Sequence, residues 1–122
     1  DMWGGYSDNS GSITVNWSGV GSALKIQSGT TYNGYAQDST WTLHSGLVGE
    51  RVFNQPVKFE SKFTNPPKIF LELSGLDVNH TKNARVQVTA KNITESGFAL
   101  EYKTWDNTIL YSVWTNWMAF GE

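Results

Sequence analysis

The 122-residue chain contains no cysteine, so no disulfide can brace the fold, and the usual marker of an oxidising compartment is missing without excluding one. No apolar run approaches the ~20 residues that a membrane-spanning helix needs. Charge is scarce as well. Charged residues make up 16% of the chain and the net charge is −2, which removes any electrostatic case for nucleic acid or an anionic membrane as partner. Two histidines are present, His44 and His80, neither beside a recognisable nucleophile, and no G-x-S-x-G, H-E-x-x-H or phosphate-cradling glycine loop occurs. Metal ligation needs clustered His, Cys or carboxylates, and the acids here are scattered. Asp77, in Leu76-Asp77-Val78, reads as a hydrogen-bonded turn residue rather than a calcium ligand. No pair of carboxylates is singled out for glycoside hydrolysis. The chain is expected to be a binding module, not an enzyme, with no metal and no cofactor.

Aromatic residues reach 14% and glycines number 12, a mixture that suits a compact β protein with many turns. Residues 1–23 are rich in Gly and Ser around one alternating stretch, Ile13-Thr14-Val15-Asn16-Trp17, with Ile13, Val15 and Trp17 on one face. They read as an appended strand or neck to a domain covering residues 24–122. The chain starts at Asp1 rather than Met and is expected to be a mature product or an excised piece. Three N-x-S/T triplets, at Asn16, Asn79 and Asn92, carry little weight in a chain so rich in Asn, Ser and Thr.

A short strand is predicted at Ala23-Leu24-Lys25-Ile26-Gln27, ending in a turn at Ser28-Gly29. Residues 30–51 are polar and aperiodic, and read as one long connection, the kind that usually carries function. Val57 to Phe63 leads to Asn65-Pro66-Pro67, which must break regular structure. Lys68 to Leu73 is strand sequence. Arg85 to Ala90 alternates strictly, with Val86, Val88 and Ala90 inward and Arg85, Gln87 and Thr89 outward. Glu95-Ser96-Gly97 turns the chain into Phe98 to Thr104, and a last strand runs from about Ile109 to Phe120. Short strands at this spacing, without helical periodicity, predict an antiparallel β-sandwich. The last strand carries Val113 and Trp117 on one face and Trp114, Met118 and Phe120 on the other. A sheet wetted on one side does not look like this, so both faces are expected to be covered, by the N-terminal segment or by a second copy of the chain.

Binding chemistry concentrates near the end. Trp105, Asp106, Asn107 and Tyr111 fall within seven residues of what reads as a final hairpin, beside the outward Arg85. Sugars present hydroxyls, which suit Asp, Asn and the five-donor guanidinium, and C–H faces, which suit an indole plate. The ordinary alternative is that Trp105 packs at a turn and Arg85 is solvated surface.

At these residues the chain resembles the H-type lectin family, the domain type of snail agglutinins and of the discoidin C-terminal domain. The resemblance rests on Ile26-Gln27-Ser28-Gly29, Phe59 to Phe63 with Pro66-Pro67, Leu76-Asp77-Val78, Arg85-Val86 and Gly97-Phe98. It continues through Thr104-Trp105-x-Asn107-Thr108, Tyr111-Ser112-Val113 and Trp117-Met118-Ala119, without gaps from Pro66 to Trp117. It implies a six-stranded antiparallel β-sandwich assembling as a homotrimer, with galactose or N-acetylgalactosamine bound at the boundaries between protomers. Arg85 matches the family's sugar-binding arginine, contributed across the boundary, Trp105 its aromatic wall and Tyr111 a tyrosine beside the pocket. Asp106 stands where snail lectins carry a histidine. The family's loop glycine falls at Gly46 and its loop carboxylate at Val48, which cannot accept hydrogen bonds through its side chain. A shift of two residues brings in Glu50 instead, and His44 and Ser45 are further candidates.

The reading is therefore a trimeric lectin for galactose-type glycans, extracellular or secreted, with Arg85, Trp105, Asp106, Asn107, Tyr111, Gly46 and Glu50 as sugar-binding residues. A second reading is a trimeric adhesion or receptor-binding head on a viral or bacterial fibre, using the same fold with an altered pocket.

Overall fold

The computed structural model describes residues 10–16, 23–45 and 48–122. Among the described residues there are seven strands, β1 (Ser10–Asn16), β2 (Ala23–Gly34), β3 (Arg51–Lys58), β4 (Lys68–Val78), β5 (Gln87–Lys91), β6 (Gly97–Thr104) and β7 (Leu110–Gly121). They form two antiparallel sheets, ordered β1-β2-β7-β4 and β3-β6-β5. The architecture is the all-β sandwich expected, with seven strands rather than six once β1 is counted. β1 pairs with β2 along its whole length, from Ser10 opposite Gly29 to Asn16 opposite Ala23. Trp17 lies outside the described residues, as do the side chains of Ile13 and Val15.

The two inner faces meet in one core. β6 supplies Phe98, Leu100 and Tyr102 at alternate positions, and β7 supplies Val113, Trp117 and Ala119. Trp41, Leu43, Phe59, Phe63 and Leu110 complete the cluster, with Val86, Val88 and Ala90 packed at its margin as the alternation of that segment implies. Burying each large apolar side chain contributes on the order of 1.5–3 kcal/mol, and the rings meet edge to face or tilted, as their quadrupoles favour.

Three expectations are corrected. First, β2 does not end at Ser28-Gly29 but runs on to Gly34, so the connection into β3 is shorter than the polar stretch suggested. The inner face of β2 is polar, and each inward group has a partner. Gln27 donates to the Ser61 carbonyl at 2.7 Å and accepts from the Glu60 amide at 2.9 Å. Thr31 shares a hydrogen bond with the Tyr102 hydroxyl at 3.1 Å, and Asn33 donates to Gln55 at 3.1 Å. Polar residues paired in this way can line a core, so hydrophobic alternation fails to mark the strand. Second, Arg51 belongs to a strand and not to the long connection, and the strand runs through residues 52–56, which carried no assignment: β3 pairs with β6 from Arg51 opposite Thr104 to Lys58 opposite Gly97. β3 is an edge strand, where the missing amide hydrogen of Pro56 costs no ladder bond. Third, Asp77 is not a turn residue; it sits exposed near the end of β4, opposite Ser112 and beside a register shift.

Gly29 has a packing reason rather than a turn reason. A Cβ built there would lie 2.7 Å from the indole of the buried Trp117 on β7. Gly29→Ala is therefore expected to lower unfolding stability by about 1–3 kcal/mol, the usual cost of overpacking. Urea denaturation checks this, and an unchanged midpoint would show that Trp117 has room to move.

Candidate functional site

The register places three loops at one end of the sandwich. β2 ends at Gly34 opposite Ser112 of β7, and β4 ends at Val78 opposite Leu110. Arg51 at the start of β3 faces Thr104 at the end of β6, and Gln87 at the start of β5 faces Lys103. Residues 35–50, 79–86 and 105–109 thus each pass from one sheet to the other at the same end. Trp105, Asp106 and Asn107 do not form the hairpin expected from sequence, because β6 and β7 belong to different sheets.

Arg85 organises this end. Its Nη1 donates to Asn107 Oδ1 and to Thr108 Oγ1, each at 3.1 Å, and its Nη2 lies 3.3 Å from Asp106 Oδ2. Its carbonyl accepts from the Thr104 hydroxyl at 2.6 Å. The buried Thr108 hydroxyl also donates to the Asn83 carbonyl at 2.7 Å, so loops 79–86 and 105–109 lie side by side. Asp106 takes a positive φ of 56°, a backbone state that Asp tolerates better than most residues, and this bends the loop around the guanidinium. The Arg85–Asp106 pair is largely exposed on its acid side, so the ion pair itself adds little stability; the polar network fixes geometry.

The third loop joins through Arg51. Its guanidinium donates to the carbonyls of Gly49, Ser45 and Asp106, at 3.0, 3.4 and 2.8 Å. The Gly49 amide donates to the same Asp106 carbonyl at 3.1 Å. Gly49, with φ of 118°, occupies a conformation that side chains rarely adopt, and this turns the loop back toward Asp106.

Of the residues singled out from sequence, Arg85, Asp106 and Asn107 are in direct contact, and Trp105 stands between Thr104 and Asp106, both held by Arg85. Trp105 is 39% exposed, so a large side chain remains partly open to solvent at a backbone position flanked by residues of the network. Tyr111 belongs to a neighbouring group: its hydroxyl accepts from Asn79 Nδ2 at 3.1 Å and its ring lies 5.7 Å from that of Tyr35. Glu50 points to Lys103, at 3.9 Å, rather than to Arg85. Gly46 lies outside the described residues. Sequence reasoning missed Arg51, Thr108, Asn79 and Tyr35. Thr108 was visible in the Thr-Trp-x-Asn-Thr string, whereas nothing in the local sequence of Arg51 marks it as a loop clamp.

The molecule is a two-sheet sandwich with a polar network and the partly exposed Trp105 at one end. The model of the H-type lectin domain matches residues 54–120, more than half of the chain. A discoidin-1 polypeptide of Dictyostelium discoideum is 33% identical over 98 residues, covering 77% of this chain and 38% of that protein. A protein of Fuscovulum blasticum named ATP synthase subunits region ORF 7 is 37% identical over 74 residues, covering 61% of this chain and 64% of its own length. The solved structure of recombinant discoidin II of Dictyostelium discoideum superposes with a TM-score of 0.62 at 19% identity, over 98% of this chain and 38% of that one, a likeness of fold. This chain belongs to the H-type lectin family, whose domains bind carbohydrate. It spans 64% and 38% of the lengths of the two curated relatives.

Thr108→Val is expected to leave both the Asn83 carbonyl and one Arg85 donor short of a partner, costing about 1–3 kcal/mol. Thermal melting reads the loss; an unchanged melting temperature would mean that Thr108 does not tie the two loops together.

Proposed function

We propose that the chain is a lectin for galactose- or N-acetylgalactosamine-type glycans, binding one terminal ring at the Arg85–Trp105–Asp106 end of the sandwich. The observation that carries the reading is the half-exposed Trp105 indole beside a fixed array of charged and amide groups. The indole offers a plate for the C–H face of a pyranose, and Asp106 and Asn107 offer acceptors for vicinal hydroxyls. Asp106 replaces a histidine of the snail lectins with a strong acceptor, so sugar recognition is kept while the preference among galactose-type rings is altered. Gly46 and Glu50, from the segment that precedes Arg51 in sequence, are further proposed sugar-binding residues.

The proposed assembly is a homotrimer. The outer face of the β1-β2-β7-β4 sheet favours it. Register brings Ile26, Phe120 and Lys68 into one row, Ser28, Met118 and Phe70 into the next, and Tyr32, Trp114 and Gly75 into a fourth. Phe70 is 55% exposed and Met118 44%, around a groove of about 550 Å³. Phe70 stacks on Phe120 with centroids 5.2 Å apart, and Tyr32 on Trp114 at 4.3 Å. An apolar face of this kind marks an interaction surface. A ring of three buries it through contacts that close, and three weak sites on one end then gain ~10²–10⁴ in apparent affinity on a glycan-dense surface. An extracellular or secreted location follows from such a ligand.

A second reading, a trimeric adhesion or receptor-binding head, is favoured by one observation: Arg85 is occupied by acceptors of its own chain, which leaves fewer donors for a sugar. One experiment separates the two. On a glycan array, the wild-type chain is expected to bind galactose-terminated glycans, and Trp105→Ala to lose at least about tenfold in affinity with its melting temperature unchanged. Light scattering on the same samples is expected to give three chains per particle for both. A trimer silent on every glycan favours the adhesion head, and a Trp105→Ala variant with the wild-type profile shows that the sugar binds elsewhere.

A further inference from the structure

At the same end of the sandwich as the Arg85 network lies a second aromatic group that the proposed primary site does not use. Tyr35 follows directly on β2, and its amide donates to the Tyr111 carbonyl at 3.0 Å. The turn it opens is held by the Gln37 and Asp38 amides, both donating to the Gly34 carbonyl, and by Asp38, which accepts from the amide and hydroxyl of Thr40. These Thr40 bonds also hold the Asp38 carboxyl below its ordinary pKa. One face of the Tyr35 ring rests on His44, with centroids 5.2 Å apart and planes 27° from parallel. Tyr35 is nevertheless 54% exposed, so much of it remains open to solvent.

Polar groups surround this open plate. The Tyr111 ring stands 5.7 Å from Tyr35 at 57°, and its hydroxyl accepts from Asn79, which leaves the hydroxyl's own proton free to donate. Asn79 is itself fixed, because its amide donates to the Ile109 carbonyl and its side-chain oxygen accepts from Thr81. Among the described residues the buried Nδ1 of His44 has no hydrogen-bond partner. An exposed aromatic ring stacked on His44 and flanked by a tyrosine hydroxyl has the chemistry of a second sugar subsite.

We infer that Tyr35, supported by His44 and flanked by Tyr111, forms an extension subsite that takes the second ring of a glycan whose terminal ring sits at Trp105 and Arg85. The inference rests on the lectin reading above. Tyr111 connects the two places, since it follows the loop that carries Trp105 and also forms one wall of the Tyr35 plate. The second ring lays its C–H face on Tyr35 and accepts a hydrogen bond from Tyr111. The chain thereby discriminates among glycans with the same terminal sugar by what that sugar is attached to.

Isothermal titration with methyl β-galactoside and with lactose tests this on the wild-type chain, Tyr35→Ala and Tyr35→Phe. Lactose is expected to bind the wild type more tightly than the monosaccharide. Tyr35→Ala is expected to weaken lactose about tenfold, the size of one well-made aromatic contact, and to leave methyl β-galactoside unchanged. Tyr35→Phe keeps the plate and is expected to behave as wild type. A matched melting temperature confirms that the exposed substitution leaves the fold in place. Equal binding of the two sugars by the wild type, or an equal effect of Tyr35→Ala on both, overturns the subsite while leaving the primary site standing. No binding of either sugar by the wild type overturns the lectin reading for galactosides and the subsite with it.

Discussion

The guanidinium of Arg85 is the interaction on which this end of the molecule depends. A sandwich is held together along its length by two apolar faces, but at its ends the chain must pass between sheets through loops with few apolar residues to anchor them. Here three such crossings converge. Arg85 reaches from one loop to three consecutive residues of another, Asp106, Asn107 and Thr108, and Arg51 draws the third against the Asp106 carbonyl. An arginine fits this duty because its planar fork offers several donors at fixed angles, where a lysine offers one point charge. The consequence is that Trp105, the largest side chain in the crossing, is presented outward rather than folded into the core.

The same logic of paired polar groups runs through the interior. The inner face of β2 carries Gln27, Thr31 and Asn33 where a sandwich would ordinarily bury aliphatic side chains. Their partners lie across the gap: Ser61 on the segment after β3, Tyr102 on β6 and Gln55 on β3. Each bond joins one sheet, or its extension, to the other. Hydrogen bonds of this kind add little net stability but penalise any other register, because a slip would leave buried groups unpaired. They fix how the two sheets face one another, and so where the three loops meet.

What could be read from sequence follows from these facts. The β5–β6 hairpin and β7 were legible because their inward positions are apolar and alternate in the ordinary way. The continuation of β2 past Gly29 was not legible, because its inward residues are polar and its glycine makes room for Trp117 instead of a turn. β3 was obscured by Pro56, harmless at a sheet edge but a breaker elsewhere. At the site, residue types were enough to single out Trp105, Asp106, Asn107 and Arg85 as a group, and they do lie together. The division of labour was hidden. Alternation marks Arg85 as outward but says nothing of its engagement with its own chain's loop, and the roles of Arg51, Tyr35 and Asn79 depend on crossings between sheets that no local pattern encodes.

β7 carries Tyr111, beside Tyr35 and Asn79, near its start and Met118 on the exposed apolar face of its sheet further along. The most direct measurement of the central claim is an amide and indole chemical-shift titration with methyl β-galactoside. The account requires the Trp105 indole signal and the amides of residues 85 and 105–108 to shift together with one dissociation constant. Saturable shifts confined to the outer sheet face, with Trp105 and Arg85 unmoved, would contradict it.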